Sequence, residues 1–465
     1  INKPSIEAKF LSDSSKNEVL DALNSLHEGY EEWINNEKKK VNHLEPSFIE
    51  QAEINLKDCE KASKRIKEGI DLLSSDIDSL NAFKWANEAM QKQFLWSKNR
   101  EDKNSNIEIN ENQKILKWRP FQLAFSLMTL SSVSDRNHED REVLDLLWFP
   151  TGGGKTEAYF LIIAYLLFFR RLKSLPEGDI KKVDVIMRYT LRALTDQQFQ
   201  RATSMILACN KIRSDNIELF GKEPFSIGMW VGKASTPNNF QDALNAINNS
   251  GAEDDPRKIK TCPCCGDSLD FESSPQIKGI IPKCINDECE IKGELPILTI
   301  DSQIYIEPPS LLLGTVDKFV RLVYEKKTKS LFNESYPPEL IIQDELHLID
   351  GPLGSMVGLL EIAIDELCLD KQQKKVKYLG STATIRKAKT QVRRVFDRNS
   401  FQFPPPAIDA SDSGFSVPDN SKPGRLYIGL TTSGSSDKTI REIMSASLLQ
   451  TVMDKNIPIE KKDLY

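Results

Sequence analysis

The residues with the clearest chemical potential are Phe149-Pro150-Thr151-Gly152-Gly153-Gly154-Lys155-Thr156, set between the apolar run Val143–Trp148 and the apolar stretch Ala158–Phe169. Glycines let backbone N–H groups turn toward phosphate oxygens, and a helix opening at Lys155 adds its N-terminal dipole. In that setting Thr151, Gly152, Gly153 and Gly154 cradle phosphate, Lys155 pairs with the β- and γ-phosphates, and the Thr156 hydroxyl ligates Mg2+. The strict G-x-x-x-x-G-K-[ST] pattern fails at its first position, which is Phe149. A glycine turn that merely caps a helix is the bland alternative; a Lys-Thr pair in register between strand and helix argues against it. Downstream, Leu340–Gln343 reads as a strand with Asp344-Glu345-Leu346-His347 at its C-terminal end, where parallel sheets bind ligands. Asp344 is suited to hold Mg2+, and Glu345 to position or deprotonate an attacking water.

A second kind of chemistry is written in the cysteines. Of eight in the chain, Cys262, Cys264, Cys265, Cys284 and Cys289 cluster, while Cys59, Cys209 and Cys368 are scattered. Cys262-Pro263-Cys264-Cys265-Gly266 has the form of a zinc knuckle, and Cys284 and Cys289 supply a second pair. C-x2-C followed by C-x4-C matches a tetrahedral site of Cys262, Cys265, Cys284 and Cys289, with Cys264 left out as the variable position. Four protein ligands make the expected Zn2+ structural. Such a zinc ribbon would hold together a polar insertion, residues 251–300, that has little apolar material of its own.

The elements that must position these groups follow from patterning. Residues 1–110 carry apolar residues at helical spacing (Leu20, Leu23, Leu26, Tyr30, Trp33; then Ile66, Ile70, Leu73) and are read as a helical N-terminal domain. From residue 111 to 400, short apolar strands alternate with amphipathic helices. Val143–Trp148, Val183–Met187, Ser310–Gly314, Leu340–Gln343 and Val376–Gly380 are the strand candidates. That alternation predicts an α/β domain with a parallel sheet covered on both faces. Residues 401–424, with Pro404–Pro406 and a Ser/Asp-rich tail, read as a linker. Residues 425–465 read as the start of a further α/β unit, with a strand at Arg425–Leu430 and a helix at Lys438–Val452.

The net charge of −6 neither advertises nor excludes a nucleic-acid partner, since a local basic track suffices. Ala158–Phe169 is too short for the roughly 20 residues that span a bilayer. No basic start with a small-residue cleavage site opens the chain, so the expected setting is cytoplasmic, without a membrane partner. Of the four histidines, His27, His43 and His138 have no metal or catalytic constellation around them.

In order and wording these motifs resemble those of superfamily 2 helicases of the DEAD/DEAH type. The resemblance implies a RecA-like P-loop sheet that binds ATP with Mg2+. It marks Trp118-Arg119-Pro120-Phe121-Gln122 as an upstream element in which Arg119 and Gln122 attend the nucleotide and the Gln recognises adenine. Residues 185–192 with Gln197 look like motif Ia, and Gly314–Phe319 like motif Ib. In that family both touch the sugar-phosphate backbone, which makes Thr190, Arg192, Gln197, Thr315 and Lys318 the nucleic-acid candidates. Polar residues at strand ends are their plainer reading. Thr382-Ala383-Thr384 looks like motif III; with His347, Thr382 and Thr384 are implied to couple the nucleotide site to strand separation. The phrases FPTGGGKTEAY, RYTLRALTDQQFQR, LLLGTVDKF, QDELHLIDGPLG, GSTATIRKA and FQFPPPAIDASDS narrow the resemblance to the helicase subunits of the DISARM bacterial phage-defence system. Membership implies DNA, single-stranded or with a single-stranded end, and a partner subunit of a defence complex.

One departure bears on activity. No Q-x-x-G-R-x-x-R pattern, the carrier of an arginine finger, occurs in the 465 residues, and only about 40 follow Arg425. The expectation is that this chain binds ATP and hydrolyses it poorly, because losing such an arginine costs about 10³–10⁵ in rate. Two rival functions stand beside a DNA motor: an RNA helicase of the same superfamily, and a nucleotide-gated scaffold that never unwinds.

Overall fold

A computed structural model describes residues 6–105, 114–150, 152–173, 180–190, 192–249, 251–382, 388–409, 411–417, 429, 434 and 436–454. The predicted strand at Arg425–Leu430 lies, apart from Gly429, outside them. Two units are distinguished, 1–417 and 418–465. In the second, the described part is a helix at Asp437–Asp454.

The chain opens with α1 (Ala8–Asp13), α2 (Lys16–Val41), α3 (Pro46–Ser75) and α4 (Ile77–Ser105). Local signals set their starts. Ser15 caps α2 through a reciprocal box with Glu18, and Pro46 occupies the first turn of α3, where its missing N–H costs nothing. The order continues α5 (Pro120–Ser134), β1 (Leu144–Trp148), α6 (Lys155–Lys173), β2 (Val185–Tyr189), α7 (Arg192–Asp215), α8 (Ile217–Phe220), β3 (Ile227–Trp230) and α9 (Phe240–Asn248). Next come β4 (Asp270–Ser274), β5 (Gly279–Cys284), β6 (Gly293–Glu294), β7 (Ile297–Leu298), α10 (Asp301–Ile306), β8 (Leu311–Thr315) and β9 (Leu340–Gln343). The first unit ends with α11 (Gly351–Leu367), β10 (Lys377–Thr382), α12 (Ala388–Phe396) and β11 (Ser400–Phe403); the helix of the second unit is α13.

Eight strands form one parallel sheet in the order β11-β1-β10-β9-β2-β8-β3-β7. Its strands alternate between two apolar cores, which is why they read as nearly continuous hydrophobic runs. Leu147, Val185, Met187, Leu340 and Ile342 enter one core with α4 to α7. Leu144, Leu146, Ile186 and Ile341 enter the other, beneath α11 and α12. The N-terminal helices share the first core, so α4 lies directly on the helix that follows the glycine loop. A separate three-stranded antiparallel sheet, β4-β5-β6, carries the cysteine cluster.

All five predicted strands are present, shifted by up to two residues; β3, β7 and β11 were not anticipated. The stretch read as a linker begins as sheet. Phe401 and Phe403 bury alternate side chains in β11, and Phe415 packs on Tyr30 with ring centroids 4.6 Å apart. Asn55 Nδ2 also donates to the Ala407 carbonyl at 3.0 Å, so the segment is tied to α2 through Phe415 and to α3 through this hydrogen bond.

A fully buried charge cluster joins α3 to the sheet. Arg65 donates two hydrogen bonds to Asp145 of β1 at 2.6 and 2.7 Å, and Lys377 of β10 lies 2.8 Å from the same carboxylate. Burial pushes the Asp145 pKa up, but Arg65 and Lys377 outweigh it and hold the carboxyl below its ordinary value. Burial likewise takes Lys377 down to about 8. Asp145→Asn removes the carboxylate that Arg65 and Lys377 share and leaves Arg65 only Asp140, 3.0 Å from its Nε, and a loss of about 3–5 kcal/mol of stability is expected in urea denaturation. A change below about 1 kcal/mol would mean that water already screens the cluster.

Candidate nucleotide site and zinc centre

Sheet register brings the candidate phosphate and Mg2+ residues to one side of the sheet. Trp148 of β1 pairs with Thr382 of β10, and Gly380 of β10 with Gln343 of β9. The loop after β1 and the acidic pair after β9 therefore emerge at one edge, with Ser381 and Thr382 between them.

The loop needs its glycines. Gly152 and Gly154 have φ of +78° and +87°, a region that L side chains rarely adopt. A Cβ at Gly153 would collide with the Phe149 ring and lie 2.8 Å from the Pro150 carbonyl. Phe149 stacks on Phe121 at 3.8 Å, so the residue that broke the strict motif pins the loop to α5 instead. Lys155 is buried at the start of α6 and its ammonium donates to the Phe149 carbonyl at 2.8 Å, inside the curl of the loop. Thr156 follows it, also buried. Arg119 Nη1 donates to the Gly153 carbonyl at 2.7 Å and Gln122 Nε2 to the Gly154 carbonyl at 2.8 Å. The Gln122 Oε1 accepts from the Arg119 backbone at 2.8 Å, so one end of this amide holds the loop and the other the start of α5. Thr151 lies outside the described residues.

On the acidic side, the Asp344 backbone N–H donates to the Arg188 carbonyl at the end of β2, at 3.0 Å. Its carboxylate accepts from the Ser381 hydroxyl and, at 3.0 Å, from the Glu345 backbone. Burial raises the Asp344 pKa, against the opposing pull of Ser381, the Glu345 backbone, Lys155 and Arg201. Glu345 sits in the left-handed region at φ 48°, uncommon for a residue with a side chain, and turns the chain sharply out of the sheet. His347 Nδ1 lies 3.3 Å from the Glu345 carboxylate and 3.3 Å from the Thr382 hydroxyl, so one imidazole links the acidic pair to β10. Thr384 lies outside the described residues.

Ser381 escaped the sequence reading because the predicted strand stopped at Gly380. The strand runs on to Thr382, and strand alternation turns Ser381 toward Asp344. Its signal was its place just before Thr382-Ala383-Thr384. Ser381→Ala removes a donor from the ionised form of Asp344 and raises its pKa further. Protons then compete with Mg2+ at higher pH, so the acid limb of Mg·ATP binding is expected to move to higher pH. An unmoved profile in a calorimetric pH series would deny Ser381 this role.

The nucleic-acid candidates fare differently. Gln197 is exposed on α7, and Thr190 stands at the end of β2. The side chain of Arg192 is outside the described residues. Thr315 and Lys318 are buried. The Lys318 ammonium donates to the Val231 carbonyl at 2.6 Å and to Asp301 at 2.7 Å. Burial lowers its pKa although Asp301 opposes this. A side chain so engaged would have to break both bonds to neutralise a phosphate.

In the insertion, the Sγ atoms of Cys262, Cys265, Cys284 and Cys289 all lie within 4.8 Å of one another. The Cys262–Cys289 and Cys265–Cys284 sulfurs are 3.8 Å apart. Four thiolates about 2.3 Å from one zinc ion stand about 3.8 Å from each other, so the set fits Zn2+. The first knuckle closes through Gly266, whose N–H donates to the Cys262 carbonyl at 2.9 Å with φ +83°. Cys264 faces Glu290 and is not in the set.

A glycine loop after one parallel strand, an acidic pair after another and a hydroxyl-bearing strand between them define a RecA-like P-loop domain, here fused to N-terminal helices and carrying a four-cysteine insertion. The particular resemblance is to the DISARM protein DrmA of Bacillus paralicheniformis, 37% identical over 503 aligned residues that take in 95% of this chain. This bears out the likeness drawn from the motif phrases. The chain spans 44% of the length of that relative. No protein-family model matches. Among solved structures, the DUF1998 helicase MrfA bound to DNA aligns at 14% identity and a TM-score of 0.35, covering 63% of this chain and 28% of MrfA. Mss116p bound to ssRNA and AMP-PNP aligns at 11% and 0.32, covering 60% and 42%. Overlaps of that size assign no substrate. Among the described residues no helix is long and apolar enough to cross a membrane.

Proposed function

We propose that the chain is the ATP-binding part of a superfamily 2 motor that translocates on or unwinds DNA within a bacterial anti-phage defence complex. The observation that supports this reading is that the loop carrying Lys155 and Thr156 and the turn carrying Asp344 and Glu345 emerge at one edge of the sheet, with Ser381 of the strand between them bonded to Asp344. Lys155 and the backbone of Gly152–Gly154 hold the phosphates of ATP. Thr156 and Asp344 hold Mg2+, which neutralises charge on the phosphate oxygens. Glu345 orients water for attack on the γ-phosphate, and His347 and Thr382 carry the change toward the rest of the motor. The DrmA likeness favours a defence partner, and DNA over RNA is what the resemblance of the motif phrases implies. Poor hydrolysis by this chain alone remains the expectation, as does the start of an incomplete second RecA-like domain at residues 425–465. The four cysteines hold one structural Zn2+.

The test is ATP hydrolysis by the full-length protein alone, with single-stranded DNA and with RNA of the same sequence. Turnover stimulated by DNA above RNA is the expected result. Stimulation by RNA alone would make it an RNA motor. Tight ATP binding without turnover on either strand would make it a nucleotide-switched scaffold.

A further inference from the structure

Glu157 stands in the first turn of α6, directly after Thr156. A Cβ at Gly154 would lie 3.2 Å from Glu157 Oε2, so this carboxylate adjoins the backbone that is read as a phosphate cradle. The same oxygen is buried and accepts no hydrogen bond among the described residues. An acid suits the positive end of a helix, but that end is also where the phosphates must come. A triphosphate entering the loop therefore meets a like charge at close quarters.

The charge is answered from α7. Arg201 Nη2 donates to Glu157 Oε1, and no other ion pair of Glu157 occurs among the described residues. The guanidinium is held in place on two further sides. Its Nη1 donates to Gln198 Oε1 at 3.3 Å, and it lies 5.8 Å from the centroid of the Phe160 ring on α6. The Arg201 charge is felt on the metal side too: burial raises the Asp344 pKa, and Arg201 is among the groups that oppose the rise. Both members of the pair are only half-buried, and between two ordinary helices such a pair is worth little to stability. Beside a phosphate loop it sets the local field, because without Arg201 the carboxylate acts on the phosphates unopposed.

We propose that Arg201 is a positioning residue for nucleotide binding, which holds the Glu157 carboxylate and cancels its charge so that Gly152–Lys155 can accept a triphosphate. The assignment rests on the ATP reading above and gives α7 a part in nucleotide affinity.

Calorimetric titration of ATP and of inorganic tripolyphosphate, each with Mg2+, into the full-length protein and four variants tests it. Arg201→Ala is expected to weaken both ligands about tenfold, with the loss shrinking as salt is raised. Arg201→Lys keeps the charge and most of the affinity, and Glu157→Gln binds at least as tightly as the parent. The double variant Arg201→Ala/Glu157→Gln returns to within about threefold of the parent, since the offending charge has gone with its partner. A role in packing alone predicts the reverse for the double variant, which loses one more contact. Arg201→Ala binding as the parent does, or a double variant no better than Arg201→Ala, would overturn the proposal and leave the phosphate site standing. Failure of the parent to bind either ligand would overturn the phosphate site itself, and the role of Arg201 with it.

Discussion

Glu345→Gln is expected to leave Mg·ATP binding nearly intact and to lower nucleic-acid-stimulated turnover of the full-length protein by about 10²–10⁴-fold, the worth of a positioned general base. Gln keeps the shape but cannot take a proton. Its amide can still meet His347, which lies 3.3 Å from the Glu345 carboxylate, so the turn after β9 should survive. Lys155→Ala should fail earlier, at binding. Its ammonium sits within the loop and loses one charge-assisted contact on substitution, worth about 1.5–3 kcal/mol, or about 10- to 150-fold in affinity. Calorimetry and steady-state hydrolysis on the same two variants read the two effects separately. A Glu345→Gln protein that turns over at the parent rate would remove the residue from the chemistry. A Lys155→Ala protein that binds as tightly as its parent would remove the phosphate loop.

The parts of this site legible in the sequence were those that local chemistry dictates. A Gly-Gly-Gly-Lys-Thr run just beyond a largely apolar strand has few other uses, and Asp-Glu directly behind Leu340-Ile341-Ile342-Gln343 has little reason to be elsewhere. What escaped depended on register. Ser381 becomes a partner of Asp344 only because β10 pairs with β9 such that Gly380 meets Gln343, and no spacing in the sequence encodes that pairing. The hydrogen bonds of Lys318 were hidden for a related reason. It follows a strand in a polar stretch, as a phosphate contact should, but Asp301 and the Val231 carbonyl, both distant in sequence, claim its ammonium. The short strands β3, β7 and β11 were missed because four or fewer residues carry too little periodicity to tell a strand from a buried turn. Gln122 shows a subtler limit. Its position beside the loop was readable, whereas the engagement of both amide ends by Gly154 and Arg119 belongs to the folded state alone.

The four-cysteine cluster carries the other large expected effect, because two of the three strands around it bury little. Strand β4 buries none of its five residues fully, and β6 has two residues, neither buried. Among its few apolar anchors are Ile280 and the partly buried Phe271. Structural zinc sites supply about 10–16 kcal/mol in small metal-folded domains at neutral pH, far more than this sheet could bury. The full chain is expected to carry one zinc by elemental analysis. Cys284→Ser, or stripping by a strong chelator, should abolish amide-exchange protection across residues 270–294. Protons compete with zinc for the thiolates, so the bound metal is expected to leave as pH falls and to return as it rises. The damage should then spread in one direction. Trp96 donates its indole N–H to Glu290, and Lys92 lies 3.6 Å from the same carboxylate, so the C-terminal half of α4 leans on the second knuckle. Arg65, Asp145 and Lys377 tie α3 to the sheet independently of the metal, and protection there should persist. A zinc-free chain whose β4–β6 amides stay protected would mean that the four cysteines are packed as ordinary thiols and that the insertion folds without a metal.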